Sequence, residues 1–154
     1  MLKPDLFKAV ISATPLISID LVVYDDVGRV LLGSRKNRPA KGYWFVPGGR
    51  ILKNETLDEA FSRITYKELG IQISRNKSNF LGVYEHMYSD CVFGHGEGMP
   101  STHYVVLAHT LSSEFFCDID LPSDQHEKFQ WWKIDEALQS DLVHENTKVY
   151  LKRN

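Results

Sequence analysis

The chain has 154 residues, of which 43% are hydrophobic and 25% charged, and its formal net charge is −2. This composition fits a globular domain and excludes broad electrostatic capture of nucleic acid or anionic membrane. Any affinity for phosphate must therefore come from a local group of arginines. Cys91 and Cys117 form neither a disulfide framework nor a metal-ligand spacing. The N-terminus has no signal-peptide pattern and no apolar run could cross a bilayer, so we expect a cytoplasmic protein.

The first part of the chain alternates helix and strand patterns. Residues 4–13 have apolar side chains at helical spacing, which predicts a short amphipathic helix. Residues 16–25 and 29–35 are β-rich runs around the turn sequence Asp26–Gly28, so they are predicted to pair. The segment 37–49 is predicted to be a loop, a short aromatic strand and a glycine turn.

The main helix is predicted over residues 56–70. Thr56 and Glu59 match the capping-box pattern T-x-x-E, and Gly70 is a plausible stop. An apolar stripe at helical spacing gives this helix a buried face. Its members are Leu57, Ala60, Phe61 and Ile64.

The second part of the chain is richer in strands. Strands are predicted over 80–88, 102–111 and 129–134, with an acidic turn after the third, and the tail 146–154 is predicted to be helical. The glycine-rich loop over 90–101 has two interpretations, a lid or a disordered surface excursion. Together these elements predict one α+β domain over residues 1–154, with mixed strands flanked by helices.

The glycine pair before the main helix makes a motif with it. The frame resembles the Nudix box, G-x5-E-x7-R-E-U-x-E-E-x-G-U, where U is aliphatic. Six positions match at the family spacing: Gly49, Glu55, Arg63, Glu68, Gly70 and Ile71. The resemblance implies a Nudix hydrolase with the Nudix fold, an α/β/α sandwich around a mixed central β-sheet. It also implies hydrolysis of a nucleoside diphosphate linked to another group.

The box lacks two of its acids, because Ile64 and Lys67 stand where the family has carboxylates. Positions 64, 67 and 68 lie within roughly 100° around a helix, so three carboxylates there would cage several Mg²⁺ ions on a pyrophosphate. Ile64 is equally well explained as a core residue, and Lys67 as a solvated one. With Glu68 alone remaining, we expect one Mg²⁺ per subunit. The family pattern implies the backbone carbonyl of Gly48 as a second ligand.

With the box acids gone, a base that activates water must lie outside the helix. Histidine is the side chain best suited to this role near neutral pH. The residues alone do not choose among the six candidates, His86, His95, His103, His109, His126 and His144.

Four segments narrow the choice by a further resemblance. They are TPLISID, NRPAKGYWFVPGGR, THYVVL and LPSDQHEKFQWW. They are similar to the GDP-mannose mannosyl hydrolase branch of the Nudix family, which lacks the same box acids, and the likeness extends from about Asp5 to Tyr150. The resemblance implies Mg²⁺-dependent hydrolysis, with Mn²⁺ as a substitute, of GDP-mannose and GDP-glucose to GDP and the free sugar. Water would attack the anomeric carbon with inversion, and the enzyme would be a homodimer.

The resemblance also implies roles for individual residues. His126, on a loop after Pro122, would be the general base, and Gln125 would be a metal ligand through its amide oxygen. Asp20 and His86 would orient the sugar, and Tyr104 would contact the diphosphate. Asp20 could otherwise be a polar strand residue, and Tyr104 an aromatic filling a sheet face.

The leaving diphosphate would be held by guanidinium groups, whose forked donors match phosphate oxygens. The resemblance assigns Arg35, Arg50 and Arg63 to this role. Arg38 is a weaker candidate, since the RKNR segment also suits a solvated loop.

Two other functions are compatible with the sequence. One is a conventional Nudix pyrophosphatase that yields GMP and mannose 1-phosphate. The other is a catalytically silent nucleotide-sugar sensor, for which a retained base would be unnecessary.

Overall fold

The computed structural model describes residues 2–115 and 126–152, and for residues 126–128 it describes the backbone. Two short 3-10 turns accompany the regular elements, which we number in chain order. These elements are α1 (Pro4–Ala13), β1 (Leu16–Tyr24), β2 (Val30–Arg35), β3 (Trp44–Phe45), β4 (Gly48–Arg50), α2 (Leu57–Leu69), β5 (Asn79–Tyr88), β6 (Thr102–Ser112), β7 (His126–Trp132), α3 (Ile134–Gln139) and α4 (Glu145–Leu151). None of these helices has the length and apolar character of a transmembrane span.

The described strands form one mixed sheet with helices on both faces. The strand order is β3-β2-β1-β6-β5, with β4 added to β1 and β7 added to β2. The β1–β6 pair is parallel and the other pairs are antiparallel. The predicted α+β arrangement around a mixed sheet is therefore confirmed.

One edge of strand β1 pairs with two different strands, and this division positions the candidate site. Its C-terminal end pairs with β2 through Tyr24 opposite Val30, while its N-terminal half pairs with β4 from Ser18 to Asp20. The opposite edge of β1 is occupied along its length by β6. Strand β2 must consequently diverge from β1, and Asp20 lies where the edge divides.

The core is divided between the two faces of the sheet, because successive side chains of β1 point in opposite directions. Ile19, Leu21 and Val23 pack with α2, whereas Val22 packs with α3 and α4. Leu16 packs in a third cluster beneath α1.

Helix α2 begins and ends where the sequence predicts. The Thr56 hydroxyl accepts a hydrogen bond from the backbone N–H of Glu59, and the Glu59 carboxylate accepts one from the N–H of Thr56. Gly70 ends the helix at φ = +80°, a left-handed conformation that favours glycine.

Three local predictions need correction. β7 begins at His126 rather than at residue 129, because its backbone pairs with β2 from Arg35 onward, so His126 starts a strand rather than lying on a loop. The predicted acidic turn is the helix α3, which buries Ala137. The glycine pair belongs to β4 rather than to a turn, because Gly48 and Gly49 pair with β1.

The glycine-rich loop is anchored at its start. Cys91 is fully buried beneath α1, and its backbone exchanges two hydrogen bonds with Gly94, at 2.8 and 2.9 Å. The Phe93 ring meets the Phe7 ring edge-on, with centroids 5.9 Å apart. The first turn of this loop is thus anchored by hydrogen bonds and by buried Cys91, although Val92 and Phe93 are exposed, and its role as a lid stays a prediction. Cys117 lies outside the described residues.

Candidate active site

The divided edge of β1 brings Asp20 and Gly48 into direct contact. The two residues are opposite each other in the β1–β4 pairing. A Cβ atom on Gly48 would lie 2.5 Å from the Asp20 Oδ1 atom and 2.6 Å from the carbonyl oxygen of Ile19. Only glycine fits this close approach without a backbone shift. The predicted sugar ligand Asp20 and the predicted metal ligand Gly48 are therefore neighbours.

A hydrogen-bonded chain of side chains begins at Asp20. The Tyr150 hydroxyl donates to Asp20 Oδ2 at 2.7 Å and lies 3.1 Å from Nε2 of His86. A hydroxyl has one proton, so with Asp20 ionised the His86 contact requires a proton on Nε2, which donates to the Tyr150 oxygen. This Asp20–Tyr150–His86 chain fixes the imidazole tautomer and joins the two residues predicted to orient a sugar.

Burial shifts the ionisation of this chain strongly. Loss of solvent raises the pKa of Asp20 to about 6, with the negative charge of Glu68 as a smaller contribution, while Tyr150 and Arg35 act in the opposite direction. Burial, followed by the nearby His144, lowers the pKa of His86 to about 4. Burial and Asp20 also raise the pKa of Tyr150. Near neutral pH the chain therefore contains one carboxylate and two neutral donors.

Two further tyrosines lie beside the chain. Tyr104 is the strand partner of His86, and Tyr88 packs 6.5 Å from the His86 ring. Burial raises the pKa of Tyr104 and raises that of Tyr88 to about 12. Both hydroxyls thus keep their protons and can donate hydrogen bonds to a ligand. The structure brings the predicted Tyr104 together with Asp20 and His86.

Two of the predicted arginines direct positive charge at these groups. The Arg35 guanidinium lies 5.2 Å from the centre of the Phe45 ring, and Arg50 lies 4.1 Å above the ring of Phe7. Cation–π contact of this kind orients a guanidinium while leaving its edge donors available. The positive charge of Arg35 opposes the rise in the pKa of Asp20 and of Tyr104, and the charge of Arg50 also opposes the rise for Tyr104. The charges of both arginines therefore reach the predicted diphosphate contact.

Arg63 is held differently. Its Nε and Nη2 atoms donate to the two carboxylate oxygens of Glu55, at 2.5 and 2.9 Å, and Nη2 also donates to the Arg50 carbonyl oxygen at 2.7 Å. The ion pair lowers the pKa of Glu55 and raises that of Arg63. In this arrangement Arg63 closes the loop between β4 and α2. Its predicted contact with phosphate stays a prediction.

The three positions of the reduced acid cluster have separate environments. Ile64 is 1% exposed and packs in the core beneath the sheet, Lys67 is exposed to solvent, and Glu68 is 3% exposed. The negative charge of Glu68 contributes to the raised pKa of Asp20. No group of three histidine, cysteine or acidic side chains gathers as a metal cluster within the described part of the chain.

These donors fit one divalent ion rather than several. Mg²⁺ is often bound through one or two protein carboxylates, with water and substrate phosphate completing its ligands. Glu68 and the carbonyl of Gly48 would be the protein's share. Gln125 lies outside the described residues. The His126 backbone lies opposite Arg35 on β2, and its side chain is likewise not described.

Several residues at the site have no signal in the sequence. Tyr150 joins the chain from α4, and His144 stacks on Phe45 with ring centroids 4.8 Å apart. The Tyr88 ring packs 5.4 Å from the His144 ring. The tail is predicted to be helical, and α4 confirms this, yet only the folded sheet shows which β-strand residues this helix meets.

Comparison with known proteins agrees with this architecture. The NUDIX domain model matches residues 14–152. The chain is 35% identical over 146 residues to the low-salt glycan biosynthesis protein Agl8 of Haloferax volcanii, covering 95% of this chain and 77% of that protein. It is also 39% identical over 82 residues to the ADP-ribose pyrophosphatase of Methanocaldococcus jannaschii, covering 53% of this chain and 47% of the relative.

Solved structures show the same fold. The crystal structure of a MutT NUDIX hydrolase from Burkholderia pseudomallei superimposes with a TM-score of 0.68 at 26% identity, covering 90% of this chain and 96% of that one. The NUDIX domain of Shewanella oneidensis NrtR, determined with ADP-ribose, superimposes with a TM-score of 0.64 at 21% identity, covering 97% and 89% of the two chains. Given the family match, the box geometry and these neighbours, the chain belongs to the Nudix family and is a Nudix hydrolase.

Proposed function

We propose that this Nudix hydrolase cleaves GDP-mannose, and also GDP-glucose, into GDP and the free sugar. Water would attack the anomeric carbon with inversion, and Mg²⁺ would be required, with Mn²⁺ as a substitute. The observation that carries the proposal is the state of the box helix, where Glu68 is buried at the site, Ile64 belongs to the core and Lys67 faces solvent. Attack at phosphorus by metal-activated water relies on a richer carboxylate cluster than this helix offers.

The leaving group in this reaction is GDP, which departs as a polyanion. Arg35 and Arg50 would bind its diphosphate, and the protonated hydroxyl of Tyr104 would donate to it. When bound through Glu68 and Gly48, the metal ion would neutralise developing negative charge on the diphosphate. The protein thus concentrates its positive charge where the bond breaks, at the phosphate side of the anomeric carbon.

The sugar would be oriented by the Asp20–Tyr150–His86 chain. Ionised Asp20 accepts hydrogen bonds from sugar hydroxyls, and Tyr88 is a buried donor beside it. Because Tyr150 joins Asp20 to His86, a shift of either side chain would disturb the other. Such an arrangement suits a step in which the sugar must present its anomeric carbon at one angle.

His126 is the proposed general base. Its backbone begins β7 directly opposite Arg35, whose charge reaches Asp20 and Tyr104. A general base is worth ~10²–10⁴ in rate, so His126→Gln should lower kcat by at least ~10² while KM changes little. Steady-state kinetics checks this, with His109→Gln as the matched control, because the His109 ring bonds to Ser78 and is assigned no role at the site. Unaltered turnover in His126→Gln would remove the residue from the mechanism.

The relatives support two different reactions. A protein of glycan biosynthesis, 35% identical to this chain, favours a sugar nucleotide. The ADP-ribose pyrophosphatase, 39% identical over 82 residues, favours the second candidate, a pyrophosphatase that yields GMP and mannose 1-phosphate.

Hydrolysis of GDP-mannose in ¹⁸O-labelled water with Mg²⁺ separates these candidates. Label in free mannose, with unlabelled GDP, is the expected result and establishes attack at carbon. Label in GMP or mannose 1-phosphate would establish attack at phosphorus and overturn the proposal. Absence of turnover with and without Mg²⁺ would favour a catalytically silent sensor.

We also propose that the enzyme is a homodimer. Leu2 and Leu6 near the start of α1 are 46% and 54% exposed, and in the proposed dimer a second copy of the chain would cover them. Light scattering of the purified protein should give twice the monomer mass, and Leu6→Glu should lower it.

A further inference from the structure

A cleft of about 330 Å³ opens beside the Asp20–Tyr150–His86 chain. Tyr88 lies between the two, since it lines the cleft and its ring lies 6.5 Å from the His86 ring. The polar lining comes from three separate segments of the chain. The first segment contributes Arg38 and Tyr43, the second Tyr88, Ser89, Asp90 and His95, and the third His144.

The charges of this cleft are balanced, unlike those of the Arg35 and Arg50 region. Arg38 Nη1 donates to Asp90 Oδ2 at 3.1 Å, and the Asp90 side chain is 15% exposed. A phosphate entering here would meet the Asp90 carboxylate together with the guanidinium. The pair instead offers fixed acceptors and donors side by side, which suits an uncharged group with several hydroxyls. Arg38 is therefore a poor fourth phosphate ligand.

The His144 ring has a defined proton position. Nδ1 of His144 accepts a hydrogen bond from the backbone N–H of Asn146 at 3.1 Å. In the neutral ring the proton must then lie on Nε2, which makes that atom a donor. Tyr43, with 43% of its surface exposed, meets the His144 ring edge-on at 5.2 Å and adds an apolar surface to the cleft.

The walls are held in place by hydrogen bonds to the backbone. The Thr102 hydroxyl donates to the Asp90 carbonyl oxygen at 2.7 Å, which fixes the end of β5. Trp44 donates to the Leu142 carbonyl oxygen at 2.8 Å, and His144 donates to that of Trp44 at 3.2 Å. The cleft is thus formed before a ligand arrives, so little ordering entropy is lost on binding.

We propose that this cleft is a subsite for the sugar of the substrate, and that Arg38 and Asp90 bind hydroxyl groups which Asp20 and His86 do not reach. The inference rests on the proposed function only in taking a nucleotide sugar as the ligand. It assigns to the Arg38–Asp90 pair a part in sugar selectivity, separate from the diphosphate contacts of Arg35 and Arg50.

The test measures how much the sugar adds to affinity, without requiring turnover. Calorimetry with Ca²⁺ in place of Mg²⁺ gives the Kd of GDP and the Kd of GDP-mannose for each variant. The Kd of GDP divided by the Kd of GDP-mannose measures the contribution of the sugar to affinity. We expect Asp90→Asn and Arg38→Gln each to reduce this ratio ~10-fold, as for a lost hydrogen bond to a charged group. The Kd of GDP should not change. Asp58→Asn, which breaks the remote Arg75–Asp58 pair of 2.6 Å, is the matched control.

Equal weakening of GDP and GDP-mannose would overturn the subsite, because it would mean a phosphate or structural role. An unchanged ratio would overturn it as well, as would a wild-type protein that binds GDP-mannose no more tightly than GDP. If Asp90→Asn does not fold, Arg38→Gln decides alone, since the Arg38 side chain is 38% exposed. Failure of the proposed function is a separate result, because it is read from the position of ¹⁸O and not from these affinities.

Discussion

The box region and the Asp20–Tyr150–His86 chain are built in opposite ways. In the box, Arg63 binds partners 8 and 13 residues away in the sequence. In the chain, Tyr150 binds His86 and Asp20, which are 64 and 130 residues away. Local contacts leave a spacing pattern that can be recognised, whereas distant contacts leave none. The reduced Nudix box is thus visible in the sequence, and the link that Tyr150 makes between Asp20 and His86 is visible only in the fold.

The two regions also differ in how solvent affects them. Arg63 is 35% exposed at its side chain, so water screens its attraction to Glu55. His86 is 5% exposed and Asp20 is half-buried, and burial is the main cause of both of their pKa shifts. Substitutions in the two regions should consequently affect different properties, with stability changing in one and its pH dependence in the other.

The largest effect is expected at Glu68, the proposed metal ligand of the box. Glu68→Gln keeps the shape of the side chain but removes the one box carboxylate buried at the site. We expect kcat/KM to fall on the order of 10²-fold or more, with a higher Mg²⁺ concentration needed for half-maximal rate. Kinetics at several Mg²⁺ concentrations checks this, with exposed Lys67→Gln as the control. Normal metal dependence would contradict a ligand role for Glu68.

The next effect concerns the Asp20–Tyr150–His86 chain, in which the pKa values of Asp20 and His86 are shifted in opposite directions. Asp20 has its pKa raised from 3.8 to about 6, so the folded state binds more protons and stability falls as pH rises through that range. His86 has its pKa lowered from 6.5 to about 4, so the unfolded state binds more protons and stability rises with pH. In the metal-free protein the two contributions, each at most about 3 kcal/mol, should nearly cancel.

Single substitutions should reveal the pH dependence of each contribution to the free energy of unfolding. Relative to wild type, the free energy of unfolding of Asp20→Asn should increase from pH 4 to 6, and that of His86→Gln should decrease. Urea unfolding at several pH values measures both free energies. Asp20 is partly exposed, so its contribution to the free energy of unfolding should be smaller than the limit of about 3 kcal/mol. Parallel pH profiles for the two variants would show that burial does not shift these groups as described.

A smaller effect is expected from the ion pair that closes the box loop. Arg63→Met leaves the Glu55 carboxylate and the Arg50 carbonyl oxygen without this donor. We expect a loss of about 2 kcal/mol in the free energy of unfolding, most of it from the Glu55 pair. The pH difference between wild type and His86→Gln should persist in this background. Chemical denaturation tests both statements, and an unchanged stability would show that solvent replaces the pair.

The smallest effect lies at the N-terminus of α2. Thr56→Ala removes the hydroxyl that accepts from the Glu59 N–H at 3.2 Å. Loss of an N-cap should lower the free energy of unfolding by about 1 kcal/mol without changing its pH dependence. Exposed Ser101→Ala is the control, and equal stabilities of the two variants would contradict a capping role.

Elements marked by local patterns were predictable from the sequence. The α1 bounds follow from its apolar spacing, and the α2 bounds follow from Thr56 and Gly70. The α3 helix was missed because six residues are too few for a clear periodicity, and the glycine pair of β4 was missed because glycines usually indicate turns.

The site was predictable where a residue falls within a motif or a matching segment, as for Asp20, Arg35 and Glu68. Residues whose role depends on packing were not. Tyr150 is an ordinary aromatic in a helical pattern until α4 lies over β1, and Asp90 has no distinguishing neighbour in the sequence. The sheet register decides these contacts, and register is a property of the whole chain.

The 130-residue separation between Asp20 and Tyr150 has a consequence for folding. Contacts so distant in sequence require a large part of the chain to be ordered first, so they form late and are costly in loop entropy. The box helix, with its local cap, can consolidate earlier. During refolding the enzyme should therefore acquire secondary structure before it acquires the ability to hold a sugar, and activity should be the last property to return.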